Sequence, residues 1–252
     1  MRVDGNTLNR IQIVNQIKTQ CTLKYSNITD WVHDIHHIRR VVKNGKTLAK
    51  MENLTSLNSF LVEIACWLHD IGRVGETIGL EFNHSNHAEV SYQLSKQILQ
   101  PFQKQLGREG TYKILQAVRE HNLPRLIHPE NIVGRLLVDA DRGAGLNPLG
   151  IFSMLSYLQI TDIEPIYNQK LARQKLPQLL EKLTKENKLK IALEKIEFLN
   201  DWYFGTEKQN RTDVLVNPLY TKSAAKLYYS GFQEILRFEG QIKTLITQKS
   251  LS

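Results

Sequence analysis

The stretch Leu57–Arg73, LNSFLVEIACWLHDIGR, decides how this chain folds and where its chemistry lies. Leu57, Phe60, Leu61, Ile64, Ala65, Leu68 and Ile71 recur at about one helical turn and mark a core-facing helix. The run ends on the adjacent pair His69-Asp70, followed by Gly72 and Arg73. Neighbouring side chains leave a helix about 100° apart, so His69 and Asp70 converge on one cation only near a helix end and with help from other helices. The longest nearly apolar run, Leu61–Leu68, contains Glu63 and is too short to cross a bilayer.

The same period recurs on both sides. Leu8, Ile11, Val14, Ile17 and Cys21 form another apolar stripe, and helices are expected over Trp31–Ala49, His87–Leu106, Thr111–His121 and Asn131–Ala140. Further on come Ile151–Leu158, a charged helix over Leu176–Trp202 and a last helix over Thr221–Thr247. Breakers stand at Asn44-Gly45, at Gly72, Gly75 and Gly79, at Gly107 and Gly110, and at Leu123-Pro124. Gly143–Gly150 reads as a flexible turn, lacking the strand and the Lys-Ser/Thr pair of a phosphate-binding loop. Phe204–Asn217 reads as a long loop. No β pattern or repeat emerges, so the expected fold is all-α. One domain over 1–252 is expected, with a metal-binding helical core at 1–147 and a C-terminal helical extension at 148–252 packed on it.

Composition narrows the function. With 41% apolar and 23% charged residues among 252, the chain is neither disordered nor fibrous. Cys21 and Cys66 sit among apolar neighbours and read as small core residues rather than as a disulfide or a zinc site. No apolar signal core follows the first charges, so a cytoplasmic location without membrane attachment is expected. The net charge of +8 favours an anionic partner. It is spread along the chain with no dense basic arm, which disfavours nucleic acid and leaves a small phosphorylated substrate. A homo-oligomer is left open. All eight histidines fall between His33 and His128, a confinement that points to metal or proton chemistry.

Beyond His69-Asp70, His37 lies upstream and Asp139-Ala140-Asp141-Arg142 lies downstream, at the end of another helical pattern. This His, His-Asp, Asp order resembles the HD-domain phosphohydrolase superfamily, whose fold is a helical bundle. By the same resemblance, His87 and His121 occupy the places of the extra histidines in members that hold two metals. The ligand set it implies is His37, His69, Asp70, His87, His121 and Asp141, with Asp141 favoured over Asp139 by motif register. His37, His69 and Asp141 would then belong mainly to one ion, His87 and His121 to the other, and Asp70 to both. Such a thiolate-free shell suits one or two Mn, Fe, Co, Ni or Zn ions and also admits Mg. Two such cations would hold a hydroxide for in-line displacement at phosphorus.

Arg40, Arg73 and Arg142 each lie within three residues of one of these ligands, and arginine suits bidentate phosphate contact. Arg73 has the strongest claim, because it follows Gly72 in a turn where a long side chain folds back over the site. Arg40 reads equally well as solvent-facing and Arg142 as a helix C-terminal charge. His33 either lines the site mouth and donates to a phosphate or is structural. His36 points elsewhere on its helix, and His84 and His128 read as solvated loop residues. His33 and His37 with Asp34 between them also look like a zincin pair. That reading uses Asp where Glu is usual and leaves His69-Asp70, His87 and Asp141 without roles.

Within the superfamily, Arg73 and Val74 stand where the stringent-response hydrolases have acids, and the Gly-Tyr-Pro signature of cyclic-dinucleotide phosphodiesterases is absent. The Asp-Ala-Asp-Arg stretch and the run from Thr221 to Leu227 resemble small bacterial HD nucleotide hydrolases. The expected activity is metal-dependent cleavage of a phosphate ester or anhydride in a nucleotide-like substrate, with Asp70 and Arg73 carrying catalysis. The alternatives are an HD-type mixed-valent di-iron oxygenase and a catalytically silent nucleotide-binding module.

Overall fold

The computed structural model describes residues 5–28, 30–74, 87–122, 129–204 and 219–251. Gly75, Gly79, His84, Leu123-Pro124 and His128 lie outside them, as does the loop expected between Phe204 and Asn217. Among the described residues every regular element is helical, and no helix is long and apolar enough to cross a membrane. The chain divides into two compact units, Met1–Asp141 and Arg142–Ser252.

The first unit is built round the helix that the opening stretch predicts. Helix α1 spans Gly5–Tyr25, α2 Ile35–Met51 and α3 Ser56–Leu68. Thr55 caps α3 by accepting from the Asn58 amide. From Phe60 onward every α3 side chain except Glu63 is buried, the pattern of a helix enclosed by its neighbours. Those neighbours are α1, α2 and α5 (Gln103–Glu120). Before α5 come a 3-10 turn at Ile71–Arg73, α4 at His87–Leu99 and a second 3-10 turn at Gln100–Phe102; α6 spans Ile132–Gly145.

Two expected breakers are close-contact points instead. Gly45 lies inside α2, where an added Cβ would stand 2.6 Å from Cys66 Sγ on α3. Gly107, at φ +70°, is the actual break in its region, whereas Gly110 sits within the helix against Leu61. The expected helix from Trp31 begins only at Ile35, because Asp34 caps it by accepting from the His36 and His37 amides.

Cys21 and Cys66 are free and buried. Burial pushes the Cys21 thiol up to about 12 and raises that of Cys66 further. At pH 8 both remain thiols and are shielded. Iodoacetamide is therefore expected to modify neither in the native protein and both in denaturant. Rapid native labelling of Cys66 would show that the α2–α3 contact opens.

The second unit contains α7 (Pro148–Tyr157), α8 (Gln169–Lys185), α9 (Leu189–Phe204) and α10 (Lys222–Leu251). Here α7 packs on α8, α9 and α10. Asn147 caps α7 through its side chain, and Pro148 occupies the first turn, where a missing N–H costs nothing. The single charged helix expected over Leu176–Trp202 is two helices, separated where Asn187 takes a left-handed conformation at φ +56°. The glycines after Asp141 are not a flexible turn. Gly143 lies inside α6, where a Cβ would stand 1.9 Å from the Tyr228 ring. Only Leu146 and Asn147 separate α6 from α7.

Candidate metal centre

Helix α3 ends at the pair it was expected to present. His69 keeps helical dihedrals, whereas Asp70 departs to φ −106°, ψ 14° and opens the 3-10 turn. That change of direction lets two adjacent residues face one centre. Gly72 closes the turn onto α4, its amide donating to Ser91 Oγ at 2.9 Å. An added Cβ at Gly72 would stand 2.5 Å from the His87 carbonyl oxygen, so this approach needs glycine.

The six residues of the expected shell lie together in the first unit. His37 Nε2 is 3.1 Å from Asp141 Oδ1, and His69 Nε2 is 3.6 Å from both Asp141 Oδ1 and Asp70 Oδ2. Asp70 Oδ1 faces His87 Nε2 at 3.5 Å and His121 Nε2 at 3.4 Å. His37, His69 and Asp70 form one group able to hold an ion, and Asp70, His87 and His121 form another. Asp70 is common to both. His69, Asp70, His87 and His121 are buried, while the Asp141 side chain is 28% exposed, which puts the opening on its side of the cluster. Asp139 is fully buried two residues earlier.

The donor atoms fit a divalent cation. His37 Nε2, His69 Nε2 and Asp70 Oδ1 are buried without a hydrogen-bond partner, a costly state that coordination relieves. The outer ring nitrogens are anchored instead: His69 Nδ1 donates to the Cys66 carbonyl at 3.0 Å and His121 Nδ1 to that of Val118 at 2.6 Å. Each anchor turns Nε2 inward, the usual support of a metal-bound imidazole.

Charge compensation is tight. Burial opposes ionisation of Asp70, but the Arg73 guanidinium and His69 outweigh it and hold the carboxyl well below the usual range. Asp141 is likewise held low against its burial by the neighbouring imidazoles of His37 and His69. Burial pushes His37 down. In His69 burial is outweighed by the Asp70 charge, with help from Asp141, and the imidazole rises to about 9.

Arg73 does fold back: its Nε lies 2.9 Å from Asp70 Oδ2, and its Nη2 lies 3.3 Å from His87 Nε2. The guanidinium thus stands beside the His87 group, where any cation held there would have to share Asp70 with it. His33 pairs with Asp30 at 2.5 Å, its ring 6.0 Å from that of His37. Arg40 is half-buried one turn after His37, and Arg142 lies over the Tyr220 ring at 5.5 Å in the second unit.

Two supporting residues escape sequence reasoning. Ser91 carries no motif, yet it receives the Gly72 amide. Tyr25, at the end of α1, is buried, with its hydroxyl 3.4 Å from the Trp67 carbonyl just before His69. Its neighbours in sequence, Lys24 and Ser26, give no sign of that role.

Residues 34–145 match the family model of the HD domain. A solved structure, described as a predicted HD superfamily hydrolase from an uncultured Thermotogales bacterium, is similar at 24% identity with a TM-score of 0.45. The similarity covers 69% of this chain and 88% of that one. No curated protein matches.

Proposed function

We propose that this chain, whose residues 34–145 match the HD domain, is a metal-dependent phosphohydrolase acting on a nucleotide-like phosphate ester or anhydride. The observation that carries this reading is the pair of ligand groups sharing Asp70. His37, His69, Asp70 and Asp141 would hold one divalent ion, and Asp70, His87 and His121 a second. Bound there, such ions acidify water and polarise phosphoryl oxygens.

The chain's own groups do the rest. The Nδ1 anchors of His69 and His121 fix both rings, so no reorganisation accompanies the reaction. Arg73 orients the Asp70 carboxylate through Nε and is the cation placed to meet charge developing on a phosphoryl group. Partly exposed Asp141 marks the side from which substrate enters. Arg40, Arg142 and His33 are proposed as further phosphate contacts.

A metal-reconstituted screen of nucleotides, dinucleotides and phosphomonoesters, with Asp70→Ala as control, tests the proposal. Phosphate or pyrophosphate release dependent on metal and on Asp70 supports it; no release from any class sinks it. The same all-N/O shell with a shared carboxylate also suits a di-iron oxygenase, so the screen is repeated without oxygen.

Arg73→Ala is expected to lower kcat/KM by the equivalent of about 2–4 kcal/mol, the cost of losing one preorganised donor to developing charge. Turnover that persists anaerobically and collapses in Arg73→Ala belongs to the hydrolase, whereas strictly oxygen-dependent turnover belongs to the oxygenase. Arg173, whose side chain is engaged with Glu234 in the second unit, is the control arginine.

A further inference from the structure

The face of α2 turned away from the cluster carries an unexplained feature. Arg39, Lys43, Lys46 and Lys50 follow one another at intervals of four, three and four residues. At 100° per residue they share one narrow stripe, about half a turn from the direction of His37, Val41 and Leu48. Among the described residues, Lys43 and Lys50 are not engaged in an ion pair, and Lys46 is 3.0 Å from Glu63.

This stripe borders two cavities that share Val14, Asn15, Lys46 and Glu63 and so form one groove among α1, α2 and α3. The first, of about 790 Å³, has an apolar wall of Ile11, Leu54 and Phe60 beside Arg10 and Lys50. Arg10 stands over the Phe60 ring at 5.7 Å and donates to Ser56 Oγ at 2.8 Å, so its charge is fixed at this end. The second, of about 550 Å³, is bordered by Lys18, Arg39 and Lys43 and by Trp67, which is 3% exposed. The Trp67 indole N–H is buried without a partner, a donor that a bound anion or water would satisfy. Both volumes fall in the usual range of ligand sites, roughly 300–1,000 Å³.

We propose that this groove is a second ligand site, separate from the metal centre, for an anion of the nucleoside polyphosphate class. The ring lies in the apolar end against Ile11, Leu54 and Phe60. The phosphates run from Lys46 toward Lys43 and Arg39, cations that stand about 4.5–6 Å apart along the helix axis. Six basic side chains line the groove against the single carboxylate of Glu63. That imbalance selects a multiply charged ligand, and the apolar wall selects one with a ring. The site does not depend on the proposed phosphohydrolase activity.

Calorimetric titration of the full chain with β,γ-methylene ATP and with inorganic tripolyphosphate, in chelator, tests it. The measurement is repeated on His37→Ala, which impairs the metal centre and leaves the groove. The methylene analogue is expected to bind both proteins equally, and about tenfold more tightly than tripolyphosphate. Arg39→Glu with Lys43→Glu should weaken both probes by about tenfold or more, and Arg39→Gln with Lys43→Gln by less. Ile11→Asp should weaken only the methylene analogue. Circular dichroism of each variant checks its fold. Binding lost in His37→Ala, or indifferent to the charge reversals, overturns the site; equal affinity for tripolyphosphate overturns the assignment of the apolar end to a ring.

Discussion

Asp70→Asn is expected to reduce turnover of the metal-loaded protein by about a thousandfold or more while leaving its helical circular dichroism unchanged. The side chain serves both halves of the cluster, with Oδ1 facing His87 and His121 and Oδ2 facing His69 and Arg73. An amide of the same shape keeps one acceptor, carries no charge and turns an N–H₂ either toward Arg73 or into a pocket of imidazole lone pairs. Neither orientation bridges two cations. The fold does not rest on this carboxylate, because Leu61, Ile64 and Leu68 hold α3 in place with almost no exposure. Loss of the Arg73 pair should lower Tm without abolishing cooperative unfolding. Elemental analysis alongside the assay separates a lost ion from a misplaced one. Retention of most wild-type activity would remove Asp70 from its bridging role.

The features legible in the sequence share a physical cause: they are local or periodic. The α3 stripe follows from burial on all sides, and the departure of His69-Asp70 from helical spacing follows from its place at a helix end. The order of ligand-type residues was readable too. Their convergence was not, because the facing of His121 and Asp70 at 3.4 Å depends on how α3 and α5 pack. Glycines were the main source of error. Gly45 and Gly143 look like breakers, yet each stands where another side chain comes too close for a Cβ. A breaker and a contact glycine differ only in what lies opposite. The break at Asn187 was hidden for a related reason: the charged residues on both sides favour helix, and one left-handed residue suffices to part them. Arg73 was readable as a side chain that could fold back, but its two-sided contact with Asp70 and His87 was not.

Gly72→Ala tests whether the turn after His69-Asp70 sets the position of the second ligand group. The added methyl would meet the His87 carbonyl oxygen at 2.5 Å, the Ser91 nitrogen at 2.7 Å and Ser91 Oγ at 2.9 Å. Two of those atoms are backbone at the start of α4, so no side-chain rotation relieves the clash and the helix end itself has to move. Overpacking of this kind costs about 1–3 kcal/mol, outweighing the gain of up to about 1 kcal/mol from replacing glycine in a helical turn. The displacement also carries His87 away from Asp70 and His121, and catalytic geometry tolerates only about 0.5 Å. The His37 group, built from α2, α3 and α6, contains no α4 residue and should persist. The expected result is a lower Tm, loss of one of the two ions proposed to bind, and activity as low as that of His87→Ala. Calorimetry and elemental analysis measure both parts. If Gly72→Ala retains wild-type Tm and metal content, the close approach of the turn to α4 does not govern where His87 stands.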